Sequence, residues 1–334
     1  MRVTMKDIAA RAGVSVATVS NVITQKKYVG AEVESRVRKA MDELHYAPNI
    51  IARGLKTSCT YCVGVIVPDN TNIFFADLVQ HVQIFLRSRG YQTILMSSDN
   101  SVDEEKEAMK SLLAFGVDGI IDIAPRSRMP ELDVERDCPI VIIDRPPFET
   151  SNNIGFVYSD NYQAAVEIAQ YVVDKRYKNF WCLAGPTDIV PNARSRWLGY
   201  HDGLIQAGIN EDNIVMIDTE FTFESGYNIT DKLLLEKRIS PCTAIFAESD
   251  TMAWGVIERI KKEGYPIPDC IGIVGYDDVF YSRFVSPNIT TVKTSGRELA
   301  KSGAKLLLKA MTEKTSIGGY AEKIDYKILK RNSC

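Results

Sequence analysis

Histidine is the scarcest chemically versatile residue in this chain. His45, His81 and His201 are the only three among 334 residues, and they lie far apart. A histidine-based triad or zinc site needs partners at recognisable spacing, and none accompanies them. No Gly-x-Ser-x-Gly nucleophile elbow occurs, and no Gly-x-Gly-x-x-Gly opens a helix after a strand. These absences leave an enzyme reading with little support. Long apolar runs are missing as well. None approaches the roughly 20 residues of a membrane span, and none follows Met1 as a secretory signal would. A cytoplasmic protein without a membrane anchor is therefore expected, which also counts against an exported transport protein. The seven cysteines are odd in number, and Cys138, Cys182, Cys242 and Cys270 sit singly within apolar runs, so free buried thiols are expected. Cys59 and Cys62 form the single C-x-x-C; with no second pair beside it, two incidental cysteines are the simpler reading. No cofactor and no metal is expected.

What the chain does have is an uneven charge. Residues 1–60 hold 10 Lys/Arg against 5 Asp/Glu, whereas the remainder holds 30 against 38. A basic head on an acidic body suits a protein that meets phosphates with one end only. At 45% hydrophobic and 25% charged residues the chain is an ordinary globular one, and its length calls for two or three compact units.

The head opens with Thr4–Ile23. Thr4 can cap a first helix, with Asp7 three residues on to return the bond. Ile8, Ala9 and Ala12 give that helix a small apolar stripe, and Gly13 suits a sharp turn. Ser15 is a second cap, followed by Val19, Val22 and Ile23 on the inner face of a second helix. Helix, glycine turn, helix is the helix-turn-helix pattern, which lays its second helix in the DNA major groove. A third helix follows, with Glu32 and Glu34 in its first turn and a stripe at Val33, Val37, Ala40, Met41 and Leu44. It closes a minimal domain at about Tyr46, where Ala47-Pro48 stops the helix. Pro48 can begin a short helix through Asn49–Lys56, too short to persist alone; a plain linker is the alternative.

From Tyr61 onward, strand-like apolar runs alternate with amphipathic segments, which implies doubly wound parallel sheets. The series is too long for one sheet and divides near residues 158–162. Domains are expected at 1–47 (head), 48–60 (hinge helix and linker) and 61–334 (core). Lobe one is expected at about 61–160 and 290–334, with helix Arg297–Thr312 and the closing run Glu322–Leu329 returning to it. Lobe two is expected at about 161–289. Ligands in such folds sit beyond the strand C-terminal ends, here across an interlobe cleft.

These segments resemble, in order and spacing, the lactose-repressor (LacI/GalR) family of bacterial transcription regulators. The resemblance covers essentially the whole chain. It rests on Thr4–Ile23, Tyr46–Leu55, Val63–Pro68, Asn72–Ala76, Val117–Ile121, Asp144-Arg145, Arg196–Tyr200 and Val274–Asp278. It implies an α/β fold: an all-α helix-turn-helix head plus a two-lobed periplasmic-binding-protein-like core. It also implies a homodimer on a palindromic double-stranded DNA operator and a small-molecule effector. The absence of a heptad run after Leu329 favours a dimer over a tetramer.

Carried over by motif, Val16, Ala17 and Asn21 fall at base-reading positions, and Thr4, Ser15, Thr18 and Tyr46 at phosphate-contacting ones. Leu55 matches a minor-groove wedge, flanked by Asn49, Ala52 and Lys56. Two positions depart from the family pattern: Gly54 lowers the hinge's helicity, and Gly30 replaces a serine cap. In the core, Asn72, Phe74, Phe75, Asp144, Arg145, Arg196, Phe221 and Asp277 match sugar-contacting positions, where aromatic faces and charged planar groups recognise a ring and its hydroxyls. Here too the pattern is broken: Ile73 stands for a proline, and Ser249 and Thr294 shorten hydrogen-bonding side chains. Each residue also has a plainer role: the phenylalanines fit a core, Asp277 could cap a turn, and Asp144-Arg145 could be a surface pair. Resemblance is greatest to ribose-type members, so a ribose-like monosaccharide that releases the operator is expected. A purine or a phosphorylated carrier protein as corepressor is the alternative, and a sugar-binding or sugar-processing protein without a DNA role is the rival from another class.

Overall fold

The computed structural model describes residues 3–24, 27–46, 59–123, 125, 138–145 and 154–334. Most of the expected hinge, including Asn49, Ala52, Gly54, Leu55 and Lys56, lies outside the described residues. The chain divides into two compact units, residues 1–60 and 61–334.

The first unit is built from α1 (Met5–Ala12), α2 (Val16–Thr24) and α3 (Ala31–Glu43). Asp7 returns a bond to the Thr4 N–H at 2.8 Å and accepts from its hydroxyl at 2.7 Å. Gly13 ends α1 at φ 65°, the left-handed conformation that this turn needs. Ser15 accepts from the Thr18 N–H at 3.1 Å, capping α2. Ile8, Val19 and Val37, one from each helix, are fully buried, with Ala9, Ala12, Val22 and Ala40 packed around them. Arg11 and Glu43 pair at 2.6 Å between α1 and α3.

The second unit holds two six-stranded sheets. The first runs β11 (Ala321–Ile324), β5 (Ile154–Ser159), β4 (Ile140–Ile143), β3 (Gly119–Ile123), β1 (Cys62–Val67), β2 (Gln92–Ser97), all parallel. The second runs β12 (Tyr326–Leu329), β10 (Thr290–Thr294), β9 (Ile271–Tyr276), β8 (Thr243–Ala247), β6 (Asn179–Ala184), β7 (Ile214–Asp218). Only β12 is antiparallel to its neighbour. Central strands such as β3, β4 and β8 are buried along their whole length, because helices cover both faces.

On the first sheet, α4 (Ile73–Arg87) and α10 (Gly296–Glu313) cover one face and α5 (Val102–Phe115) the other. On the second, α6 (Asn161–Asp174) and α7 (Pro191–Gln206) lie opposite α8 (Phe223–Leu235) and α9 (Asp250–Glu263). Among the described residues, no helix is long and apolar enough to cross a membrane.

Two expectations need correction. Residues 290–334 do not all return to the first lobe: β10 and β12 belong to the second sheet, while α10 and β11 belong to the first. The expected closing run Glu322–Leu329 is two strands, one in each sheet, broken at Asp325. The physical reason is edge coverage. β12 pairs with β10 through Thr291–Leu329 and Thr294–Tyr326, giving that edge an antiparallel partner. The cysteines are also not uniformly buried: Cys182 and Cys334 are, Cys138 and Cys270 are half-buried, and Cys242 is exposed at the turn before β8.

Candidate functional site

In the head, α2 turns one side inward through Val19 and Val22. Its other side exposes Ser15, Val16 and Ala17, and leaves Thr18 and Asn21 half-exposed. Thr4 is exposed and Tyr46 half-buried. Val16 and Ala17 can therefore offer only apolar contact to a base, such as a thymine methyl, whereas Asn21 can hydrogen-bond.

In the core, the ends of strands become the beginnings of helices, and those junctions line one cleft. Asn72 caps α4 by accepting from the Phe74 N–H at 3.0 Å. This places Phe74 and Phe75 in the helix's first turn, with their rings 5.4 Å apart. Asp144 follows β4 at φ 79°, and Asp277 follows β9 at φ 104°, so each strand ends in a sharp change of direction. Ser249 caps α9. Arg196 projects from α7, and Phe221 lies between β7 and α8. Nine of the ten expected effector residues line this cleft: Asn72, Phe74, Phe75, Asp144, Arg145, Arg196, Phe221, Ser249 and Asp277. Thr294 does not. It ends β10 with its hydroxyl buried and no hydrogen-bond partner, outside the lining.

Arg196 is the hub. Its Nε donates to Asn161 Oδ1 at 2.8 Å and its Nη1 to the Glu248 carbonyl oxygen at 2.8 Å. Its Nη2 faces Asp277 at 3.9 Å, and the guanidinium carbon lies 3.7 Å from the Tyr276 ring centre. A buried guanidinium so placed is oriented before any ligand arrives. Arg145 stands 5.8 Å from the Phe75 ring centre. Asn192 donates to Asp144 Oδ2 at 3.1 Å.

Burial raises the Asp144 carboxyl above the usual carboxylate range, opposed by Arg196, Arg145 and the Asn192 bond. Burial also takes Asp277 up to about 7, opposed by Arg196. These acids lie on both sides of a site with polar edges and aromatic walls, which fits a ligand rich in hydroxyls.

Several cleft residues were not singled out from the sequence. Asn192 had a findable signal, since it lies four residues before Arg196 and so on the same helix face. Asp69, Asn100, Glu220 and Thr222 are loop residues without a distinguishing pattern. Asn161 and Glu248 touch Arg196 only because distant segments meet.

The family model for the lacI family of bacterial regulatory proteins matches residues 4–49, and that for a periplasmic binding protein-like domain matches residues 169–334. The chain is 30% identical over 316 residues to the ribose operon repressor of Escherichia coli K12, covering 93% of this chain and 94% of that protein. The chain belongs to the lacI family. The chain is also 32% identical to the catabolite control protein A of Priestia megaterium, with 94% of each chain covered. Among solved structures, a Lac repressor dimer bound to operator and the anti-inducer ONPF matches with a TM-score of 0.86 and 25% identity, over 100% of this chain and 99% of that one. The protein is thus a DNA-binding transcriptional repressor of this family, in which a helix-turn-helix head precedes two parallel-sheet lobes.

Proposed function

We propose that this repressor binds a palindromic operator as a homodimer and is released from it by a neutral, ribose-like monosaccharide held between the lobes. The observation that carries the reading is the convergence of Asp144, Arg145, Arg196 and Asp277 with Phe74, Phe75 and Phe221 in one cleft. Carboxylates and guanidinium groups suit vicinal hydroxyls, and the rings suit the apolar face of a sugar. The lining includes four carboxylates, Asp69, Asp144, Glu220 and Asp277, against two arginines, a balance that disfavours a phosphorylated ligand. Similarity to a ribose operon repressor supports ribose as the first sugar to try.

In the head, the reading assigns base contacts to Val16, Ala17 and Asn21, and phosphate contacts to Thr4, Ser15, Thr18 and Tyr46. Closing the lobes on the sugar shifts the dimer away from its operator-binding arrangement, a population shift driven by differential affinity. The deciding experiment is thermal unfolding against monosaccharides, sugar phosphates and purines. A ligand at a hundred times its Kd adds about 2.7 kcal/mol, which is expected for ribose or a close relative. Loss of that shift in Asp144→Ala, with weaker operator binding when the sugar is present, is the supporting result. A shift given only by a phosphate or a purine overturns the reading.

A further inference from the structure

The peptide after β9 carries two consecutive strained residues. Asp277 has φ 104° and Asp278 φ 53°, a left-handed run that every residue but glycine enters at a cost. It persists only where surrounding contacts hold it. Neighbouring side chains of an extended strand point to opposite faces, yet Tyr276 and Asp277 both meet Arg196. The guanidinium carbon lies 3.7 Å from the Tyr276 ring centre, and Nη2 lies 3.9 Å from Asp277 Oδ1. The turn at Asp277 brings its carboxylate round to the cleft.

Asp277 itself still belongs to the ladder, its N–H donating to the Val292 carbonyl oxygen at 2.8 Å. Beyond it the chain is clamped from two sides. The Asp278 side chain, 1% exposed, meets Lys293 Nζ at 3.0 Å, Arg283 Nη2 at 3.7 Å and, in closest contact, Arg331. Arg331 Nη1 also donates to the Ile289 carbonyl oxygen at 2.8 Å, and its N–H to the Thr290 hydroxyl at 2.9 Å. One guanidinium thus joins the Asp278 carboxylate to the start of β10. On the other side, Asp250 at the start of α9 accepts from the Val279 N–H at 3.0 Å and from the Ser282 hydroxyl. Gly275 leaves room for that approach, since a Cβ there would come within 2.2 Å of Asp250 Oδ1. Neither Asp278 nor its three cations line the cleft, so any part they have in binding runs through the backbone of Asp277.

We propose that Asp278 is a positioning residue of the effector cleft: its ion pairs with Arg331 and Lys293 hold the left-handed turn that aims the Asp277 carboxylate at Arg196 and the ligand. Charge-assisted pairs with a buried partner are stronger than exposed ones, and these tie the turn to β10 and to the segment after β12. Without them the peptide relaxes and the Asp277 carboxylate leaves Arg196. The proposal rests on the cleft being the effector site, so the test has one arm that needs no ligand.

Asp278→Asn removes the charge but keeps the shape, and Asn tolerates a left-handed φ as Asp does. Its three partners all reach solvent, so the fold is expected to persist. A crystal structure of full-length, ligand-free Asp278→Asn is expected to show the Asp277 carboxylate turned away from Arg196; a carboxylate still in place overturns the proposal. In the second arm, D-ribose affinity is measured for the native protein, Asp278→Asn, Asp277→Asn and the double variant. Each single substitution is expected to weaken binding about tenfold, the scale of one hydrogen bond to a charged group. The double variant is expected to bind no worse than Asp277→Asn, because a residue that acts through Asp277 then has nothing left to position. Losses that multiply in the double variant, or native affinity in Asp278→Asn, overturn the proposal. Should Asp278→Asn fail to fold, Arg331→Met breaks the pair from the other side and is carried through both arms with the same expectations. Absence of ribose binding by the native protein counts against the sugar reading alone, and the crystal structure then decides the role of Asp278.

Discussion

Asn192, on the second lobe's helix α7, donates its side-chain amide to Asp144 of the first lobe, at 3.1 Å to Oδ2 and 3.3 Å to the carbonyl oxygen. Both residues are buried. This hydrogen bond, made by cleft residues themselves, ties one lobe to the other across the cleft.

Asn192→Ala removes this tie and leaves a buried carboxyl short of a donor. The expected cost is about 1–3 kcal/mol, measured by urea unfolding of the ligand-free protein. Solution scattering should also show a larger radius of gyration if the lobes part. An unchanged midpoint together with an unchanged radius would remove Asn192 as a tie between the lobes.

Arg196→Ala removes one of the two guanidinium groups of the cleft, leaving Asp144 and Glu248 buried and Asp277 half-buried. Removing one partner of a buried charge set costs about 3–5 kcal/mol, partly relieved because the carboxyls can take up protons. The destabilisation should therefore be larger at pH 8.5 than at pH 6, as read from denaturant midpoints at the two values. Equal losses at both would mean the carboxyls do not depend on this guanidinium.

Stability of the native protein should decline as pH rises from about 4.5 to about 8 through one specific contribution. Glu248 holds its proton up to about 8 when folded, against 4.5 for an ordinary glutamate. Between those values the folded state binds a proton that the unfolded state has released, so unfolding becomes easier with rising pH until the folded group also ionises. Asp250, up to about 8, and Asp277, up to about 7, act in the same direction. Glu248→Gln cannot ionise, so its stability relative to the native protein should rise across that window and level off above it. A difference between the two proteins that stays constant from pH 5 to 9 would count against a protonated Glu248.

Gly185→Ala places a methyl group in the Phe221 ring, at 2.0 Å from Cζ on the present backbone. The ring must swing into the cleft or the loop must move. Sugar-induced thermal stabilisation should disappear while helix content stays native, and Phe221→Ala in the same chain should restore part of it.

In the head, Val16 is 40% exposed whereas Val19 is fully buried three residues later on the same helix. Val19→Ala should unfold the head selectively, costing about 1–3 kcal/mol through lost burial and a cavity. Val16→Ala should leave its melting unchanged and alter the preferred operator sequence in a random-site selection. Identical selected sites for Val16→Ala and the native protein would take Val16 out of base reading.

The head was legible because its signals are local. Thr4, Asp7, Gly13 and Ser15 act within four residues of themselves, and a three-helix domain buries stripes that periodicity already marks. Strand and helix alternation likewise exposed the doubly wound core, since parallel strands buried on both faces read as apolar runs. Cleft residues such as Asp144, Arg196 and Asp277 came from motif resemblance, and the structure brings the two aspartates, at strand ends, together with Arg196 from helix α7. Thr294 stands where the family pattern is broken by a shorter side chain, and its hydroxyl is buried outside the lining.

The sequence by itself determined the small helical head, the alternating elements of the core, and the residue types from which a hydroxyl-recognising site could be built. Those follow from caps, turns and hydrophobic period, which depend on near neighbours along the chain. Only tertiary structure decided which sheet takes each of the last strands, that Asn192 bridges the lobes, and that Glu248 lies hidden beneath Arg196. Edge pairing, buried hydrogen bonds and the electrostatics of groups removed from water depend on which distant segments meet, as Asp144 and Glu248 do around Arg196.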